Sequence, residues 1–377
     1  MTSMSSTLNP TLSPYESWNL SVSWESSTGE VILLSFLYGI ISFLSIFGNA
    51  LVIFVIVRNK KMRTITNAFL INLAVADIIL GFFAIPFQFA PALLQRWPFG
   101  SFMCPFVPFV KNTSVFVSIG TLTVISIDRY FAICHPLRKR MTPMIAGITV
   151  VIIWINGIST AMPLLLHSSV YEFTDYDGIS TRRVCYVGPM EDDTQRGYAI
   201  YHVYVFIASY AVPLAVISIA YSLIGHRIWF QKTPGESNEA RDEAIAKNKR
   251  KIIKMVMALV LLFAVCWLPL QMYDLLKVVH SKILWYRNMN IIWFCFNWLA
   301  MSNSAFNPFV YGLINDNFKR EFAKVFKLQK NTGKVGPIIN RPENLNQGPA
   351  NNRRENGTAL TQIEPAINQP NDVDGNV

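Results

Sequence analysis

Residues 31–57 read VILLSFLYGIISFLSIFGNALVIFVIV, 27 consecutive positions without a charge. Wound as an α-helix, this stretch is about 40 Å long, more than the hydrocarbon thickness of a bilayer. The pattern recurs along the chain. Thr64–Gln95 carries one charge, Asp77, and Phe102–Ile127 carries one, Lys111. Met141–Tyr171, Gly197–His226, Met255–Tyr273 and Asn288–Asn315 carry none. These runs are too long for barrel strands and lack the alternation of an outer-membrane barrel. Backbone groups in lipid must bond within their own segment, so the runs are predicted to be helices. The expected fold is an all-α membrane protein with a seven-transmembrane helix bundle over residues 31–314. Composition agrees: 52% of the 377 residues are hydrophobic and only 15% charged, against roughly 25% charged in soluble domains. Whole-chain disorder and collagen are excluded, and five cysteines are too few for a disulfide scaffold.

Lys and Arg fix the orientation. The first connector holds Arg58, Lys60, Lys61 and Arg63, the third Arg138, Lys139 and Arg140, and the fifth eight basic residues from Arg227 to Lys254. The second, residues 95–103, holds only Arg96. Odd connectors therefore lie in the cytoplasm, residues 1–30 outside the cell and the C-terminus inside. Residues 1–30 show no basic n-region, so the first span is expected to act as the insertion signal. Asn19-Leu20-Ser21 is then a usable glycosylation site. Residues 315–328 set Phe318, Phe322, Val325 and Phe326 against Lys319, Arg320, Lys324 and Lys327, the pattern of a short amphipathic eighth helix on an anionic leaflet. Residues 329–377 are expected to be a disordered cytoplasmic tail. Pro86, Pro163, Pro213, Pro269 and Pro308 interrupt the spans, which membrane helices tolerate when neighbours satisfy the freed carbonyls.

A set of short motifs runs through the spans: Gly48-Asn49-Ala50-Leu51, Leu73-Ala74-Val75-Ala76-Asp77, Asp128-Arg129-Tyr130, Trp154, Pro213 with Tyr221, Phe263 with Cys266-Trp267-Leu268-Pro269, Asn307-Pro308-Phe309-Val310-Tyr311, and Asn317-Phe318-Lys319-Arg320. In this order and at these spacings the chain resembles a rhodopsin-like (class A) G-protein-coupled receptor across about residues 30–328. Trp97-Pro98-Phe99-Gly100 and Ile127–Arg138 bring it nearer the neuropeptide receptors of the tachykinin, neuropeptide Y, neuropeptide FF and invertebrate kinin type.

The resemblance implies a plasma-membrane receptor for an extracellular neuropeptide, coupled to heterotrimeric G proteins. It implies an activation switch of Asp128, Arg129, Tyr130, Ile119, Pro213, Tyr221, Phe263, Trp267, Pro269, Asn307, Pro308 and Tyr311. Arg129 would pair with Asp128 at rest and be released on activation. The family's acid at the foot of the sixth span is absent, and Lys249, Arg250 and Lys251 stand there. Asp77 sits in mid-membrane, where a charge costs at least about 2.5 kcal/mol unless partnered. Two readings stand for it: an allosteric sodium ion held with Asn49, Ser118, Asn303 and Asn307, as in the family, or a protonated acid satisfied by Asn and Ser alone. No other cofactor is implied. The family joins Cys104 to Cys185, and both lie on the outer side, where disulfides form.

Lys111 shares a face of the third span with Ser114 and Ser118. A lysine there would repel a biogenic amine. It either meets a peptide carbonyl or carboxylate, or pairs with Asp274 across the cavity. By family position, Gln88, His202, Gln271, Trp293, Asn297 and Met301 also face the ligand. The outer segments carry nine acids against three bases, counting residues 16–30 and 172–196. That balance either attracts a cationic ligand or simply solvates the outer face. Beyond Lys330 the tail has only Thr332, Thr358 and Thr361 as phosphate acceptors, so arrestin recruitment is expected to be weak. No metal cluster, nucleophile-base pair or phosphate loop suggests an enzyme, and the basic loops lack the aromatic interleaving of a nucleic-acid groove. Alternative functions are a class A receptor for a lipid or other non-peptide ligand and, from another class, a channel or transporter. The last would call for a continuous polar path or repeated halves, and neither is visible.

Overall fold

The computed structural model describes residues 28–94, 96–174, 181–187, 192–230, 239–279 and 289–326. Their order is α1 (Thr28–Arg58), α2 (Ile65–Ile79) continuing through a π turn (Leu80–Ala84) into α3 (Ile85–Leu94), α4 (Gly100–Cys134), α5 (Pro143–His167), a hairpin of β1 (Ser168–Thr174) and β2 (Thr181–Val187), α6 (Asp192–Phe206) continuing through a π turn (Ile207–Ala211) into α7 (Val212–Phe230), α8 (Glu239–Val279), α9 (Met289–Ile314) and α10 (Asp316–Val325). The seven expected spans are α1, α2–α3, α4, α5, α6–α7, α8 and α9. Among the described residues, six helices are long and apolar enough to cross a membrane. The seventh, α9, is 26 residues long and uncharged but less apolar, because Asn297, Ser302, Asn303, Ser304 and Asn307 are buried on its inner face.

Several boundaries differ from the expected ones for one reason. Charges mark where a helix leaves the bilayer, not where its hydrogen bonding stops. Thus α4 runs on past Ile127 to Cys134 and carries Asp128-Arg129-Tyr130 within the helix. Likewise α8 begins at Glu239, well before Met255. In the other direction, the uncharged run Met141–Tyr171 is not all helix: α5 stops at His167 and the chain turns into β1. The hairpin was not foreseen. It pairs antiparallel from Ser168 opposite Val187 to Thr174 opposite Thr181.

The bundle exposes apolar side chains and packs a largely apolar core around a few buried polar groups. Phe36, Phe43, Phe47 and Phe54 stand exposed along α1, as do Ile152, Ile155 and Ile158 along α5. On a soluble protein these stripes would be a liability, whereas lipid solvates them. α4 is the hub and touches α2, α5, α7 and α8. Close approach needs small residues. A Cβ on Gly48 would lie 2.9 Å from Pro308 Cγ, and one on Gly157 would lie 3.2 Å from the Thr113 carbonyl.

At the hairpin end, Cys104 of α4 is bonded to Cys185 of β2. The Trp97 backbone N–H donates to the Arg183 carbonyl at 2.6 Å, and its indole N–H to Gly100 O at 2.6 Å. The left-handed φ of 75° at Gly100 turns the chain into α4. The Trp97-Pro98-Phe99-Gly100 segment thus works as a second clasp on the hairpin.

At the opposite end α10 departs from the expected 315–328 in extent and in use. Asn315 caps it, its side chain accepting from the Asn317 N–H at 3.1 Å. Phe318 does not face lipid. It is fully buried and stacks on Tyr311 with ring centroids 5.3 Å apart. Phe322 packs beside Phe318 and against Gly312. Only Val325 and Phe326, 40% and 50% exposed, remain on the outer side. The cap at Asn315 rotates the helix so that its first aromatic closes the bundle.

Phe318→Ala should therefore lower the thermal unfolding midpoint of the purified protein by about 5 °C, through an unfilled cavity. Phe326→Ala should leave it within about 1 °C, as surface truncations usually do. Equal midpoints for the two variants would show that Phe318 does not hold α10 to the bundle.

Candidate functional site

The centre of the bundle is a polar knot on three helices. Asp77 is 1% exposed. Its Oδ1 accepts from the Ser304 hydroxyl at 2.6 Å and its Oδ2 from the Asn307 amide at 2.7 Å. The Asp77 backbone carbonyl accepts from Ser45 Oγ at 2.9 Å. Asn49 donates to the carbonyls of Ser45 and Ser304 at 2.8 and 2.9 Å. Helices α1, α2 and α9 are thereby tied at one level. Ser304 and Ser45 were missed by sequence reasoning. Ser118 and Asn303 are buried but make no hydrogen bond to Asp77, and Asn303 Oδ1 and Asn49 Oδ1 have no donor among the described residues.

A second network joins α2, α4 and α5. The Trp154 indole N–H donates to Asn72 Oδ1 at 2.8 Å, and Asn72 Nδ2 donates to Thr121 Oγ1 at 2.8 Å. Asn72 and Thr121 also went unnoticed in the sequence.

At the end opposite the hairpin, Arg129 is paired with its neighbour Asp128. Arg129 Nη2 lies 2.5 Å from Asp128 Oδ2, and its Nε 3.2 Å from the same oxygen. Where Lys249, Arg250 and Lys251 stand in place of the family's acid, Nη2 donates to Thr66 Oγ1 of α2, at 2.7 Å. Tyr130 turns away, its hydroxyl 3.3 Å from His135 Nε2. Lys251 of α8 has its own partner and forms an ion pair with Asp316 of α10. The hydrogen bond from Lys251 holds the Asp316 carboxyl below the usual carboxylate range. Tyr221 is partly buried against the core, and Tyr311 is fully buried, its hydroxyl without a hydrogen-bond partner among the described residues.

Between the two ends runs an aromatic column. Phe263 and Trp267 stack with centroids 5.9 Å apart, and Tyr210 stacks on Phe263 at 6.4 Å. Ile119, Phe263 and Trp267 are all buried in one cluster. Pro213 lies in the first turn of α7, Pro269 inside α8 and Pro308 inside α9.

Toward the hairpin end, Lys111 lies within electrostatic reach of Asp274 and of Lys277, a residue the sequence reading did not single out, and His202 is within reach of all three. No ion pair joins Lys111 to Asp274 within 4.0 Å among the described residues. Gln88 Oε1, Thr113 Oγ1, Ser114 Oγ and Trp267 Nε1 are buried without hydrogen-bond partners among the described residues. Gln271 and Trp293 are partly buried. The other two candidates sit in packing. Met301 is fully buried. The Asn297 amide donates to Tyr38 Oη at 3.2 Å, while that hydroxyl donates to the Phe294 carbonyl at 2.8 Å. This Tyr38 link fastens α1 to α9. Asn19 lies outside the described residues, as does the tail beyond residue 326.

Such a constellation, a carboxylate knot, an arginine latch, an aromatic column and a disulfide-clasped hairpin, has a match. The sequence profile of the 7 transmembrane receptor (rhodopsin family) covers residues 48–311. The chain belongs to that family. Its members are signalling receptors rather than enzymes. The chain is 34% identical to the neuromedin-K receptor of Oryctolagus cuniculus over 84% of this chain and 67% of that protein. It is 35% identical to the substance-P receptor of Aquarana catesbeiana over 79% and 71%. It is 34% identical to the tachykinin-like peptides receptor 86C of Drosophila melanogaster over 83% and 60%.

The double anchorage of Arg129 makes a prediction. Thr66 is not the capping residue of α2, which is Thr64, so Thr66→Ala should fold. Loss of a hydrogen bond to a charged group should raise agonist-free nucleotide exchange on an added G protein by about fivefold or more. An unchanged basal rate would show that Thr66 does not restrain Arg129.

Proposed function

We propose that this receptor is activated by an extracellular peptide and passes the signal to a heterotrimeric G protein at its cytoplasmic end. The observation that carries the reading is the set of buried, unpartnered polar atoms on Gln88, Ser114 and Trp267 beneath the clasped hairpin. Buried polar groups without partners need an explanation, and a ligand rich in amides supplies both donors and acceptors. The relatives' names point to peptides too. Lys111, Lys277, His202 and Asp274 would orient the ligand, and mixed charge suits a peptide better than a lipid tail. Agonist binding would favour a rearranged Phe263–Trp267 column, and release of Arg129 from Asp128 and Thr66 would open the G-protein face. The ligand need supply only its difference in affinity between the two states.

The orientation proposed is N-terminus outside and C-terminus inside, in the plasma membrane, with Asn19 glycosylated, α10 lying at the inner leaflet and arrestin recruited weakly. A sodium ion beside Asp77 is part of the proposal. The residues suit it: two carboxylate oxygens, the Ser118 hydroxyl and the donor-free Asn303 Oδ1 are hard oxygen ligands. Bound there, the ion would stabilise the resting packing of α2 against α9.

Screening amidated neuropeptides on expressing cells, with calcium and cAMP readouts, tests the reading. A peptide should activate the wild type, and Lys111→Glu and Asp274→Lys should shift its potency by about tenfold or more while surface expression holds, since each reverses a charge in the cavity. Sodium should weaken agonist binding to the wild type but not to Asp77→Asn. Equal potency in all three proteins would overturn the assignment of the cavity, and unchanged sodium dependence in Asp77→Asn would overturn the ion.

A further inference from the structure

Outside the ligand cavity, a notch of about 330 Å³ opens between α5 and α6, lined by Asn156, Ser159, Thr160, Pro163, Tyr201 and Tyr204. It lies on the lipid-facing side. Asn156 and Ser159 are exposed and are flanked by the exposed Ile152, Ile155 and Ile158. Tyr204 is 49% exposed. Neither the Asn156 amide nor the Ser159 hydroxyl has a hydrogen-bond partner among the described residues. The Tyr201 hydroxyl donates to the Thr160 carbonyl at 3.0 Å, and the Tyr204 hydroxyl sits 3.5 Å from Thr160 Oγ1. Pro163 has no N–H, so the carbonyl of Ser159, four residues earlier, loses its helical donor. A polar group facing hydrocarbon without a partner is costly, yet here two such side chains, Asn156 and Ser159, line one concavity, and the Ser159 carbonyl lacks its helical donor.

We infer that this notch is a binding site for a neutral single-chain lipid whose head carries hydroxyl or amide groups. The lining offers donors and acceptors but no charge, so a phosphate or ammonium head would find no counter-ion in hydrocarbon. Asn156 is eleven residues before the end of α5 at His167, about 16 Å along the helix. A zwitterionic headgroup would have to leave the interface to reach it, whereas an uncharged head can be drawn down. The volume falls within the range of small-molecule sites, roughly 300–1,000 Å³, and a concave notch accommodates a chain better than it does the flat face of a second helix. The site also borders moving parts. Tyr204 lies three residues before the π turn Ile207–Ala211, and Tyr210 in that turn donates to the Ala264 carbonyl of α8 at 2.7 Å. An occupant of the notch therefore touches the segment that leads to Phe263 and Trp267.

The test uses the full chain in phosphatidylcholine nanodiscs with a photoactivatable monoacylglycerol as probe, and labelled peptides mapped by mass spectrometry. Label is expected on residues 156–163 and 201–204, displaced by excess unlabelled monooleoylglycerol. It should fall about tenfold in the Asn156→Leu, Ser159→Ala double variant, the loss of one or two hydrogen bonds in hydrocarbon. An unchanged unfolding midpoint in that variant shows that its fold is intact. Label that is equal in the variant, or indifferent to the competitor, would mean bulk lipid contact and overturn the proposal. Background labelling together with Asn156→Cys dimers cross-linked in membranes would also overturn it, and would assign the face to a second copy of the chain.

Discussion

The constraint on which this structure rests is that a carboxylate is buried at the centre of the bundle, 1% exposed. Asp77 must find all its partners inside the bundle, and it finds them on α9, through Ser304 and Asn307, while its backbone carbonyl holds Ser45 of α1. Without a hydrophobic drive between helices in lipid, such bonds and close packing carry the association. The close approach of Gly48 to Pro308 and the Tyr38 link between α1 and α9 follow the same geometry. Helix α9, which meets Asp77, also carries Tyr311, on which Phe318 of α10 stacks.

The same economy of polar contacts runs to the end of the bundle opposite the hairpin. With Lys249, Arg250 and Lys251 in place of the family's acid, two separate polar contacts join the helices at this end. Arg129 is divided between Asp128 and Thr66, which ties α4 to α2. Lys251 pairs with Asp316, which ties α8 to α10. The second pair is exposed, and exposed ion pairs contribute at most about 1 kcal/mol.

How much of this was legible in the sequence depends on what each feature leaves in the one-dimensional pattern. The seven spans were readable because charge is expelled from hydrocarbon, and the motif residues because their order is distinctive. Helix ends were not, because Asp128-Arg129-Tyr130 and Glu239 onward stay helical outside the bilayer, where charge no longer reports conformation. The β-hairpin was hidden for the opposite reason: Ser168–Tyr171 is uncharged and reads as the end of a span. Ser304 and Thr66 were missed because a small hydroxyl in a helix gives no sign of which way it faces. Only the rotation of α9 and α2 brings them to Asp77 and Arg129. Phe318 was misread because an amphipathic stripe shows that one face is buried, but not whether lipid or the bundle buries it.

If Asp77 organises the bundle through its bond to Asn307, exchanging the two groups should preserve the pair. The direct measurement is the thermal unfolding midpoint of the purified receptor in nanodiscs for four proteins: wild type, Asp77→Asn, Asn307→Asp and the double exchange. Asn307→Asp alone sets two carboxylates against each other and should lose about 5 °C or more. Adding Asp77→Asn should restore most of that loss, since one acid again faces one amide. Losses that simply add in the double exchange would contradict the account.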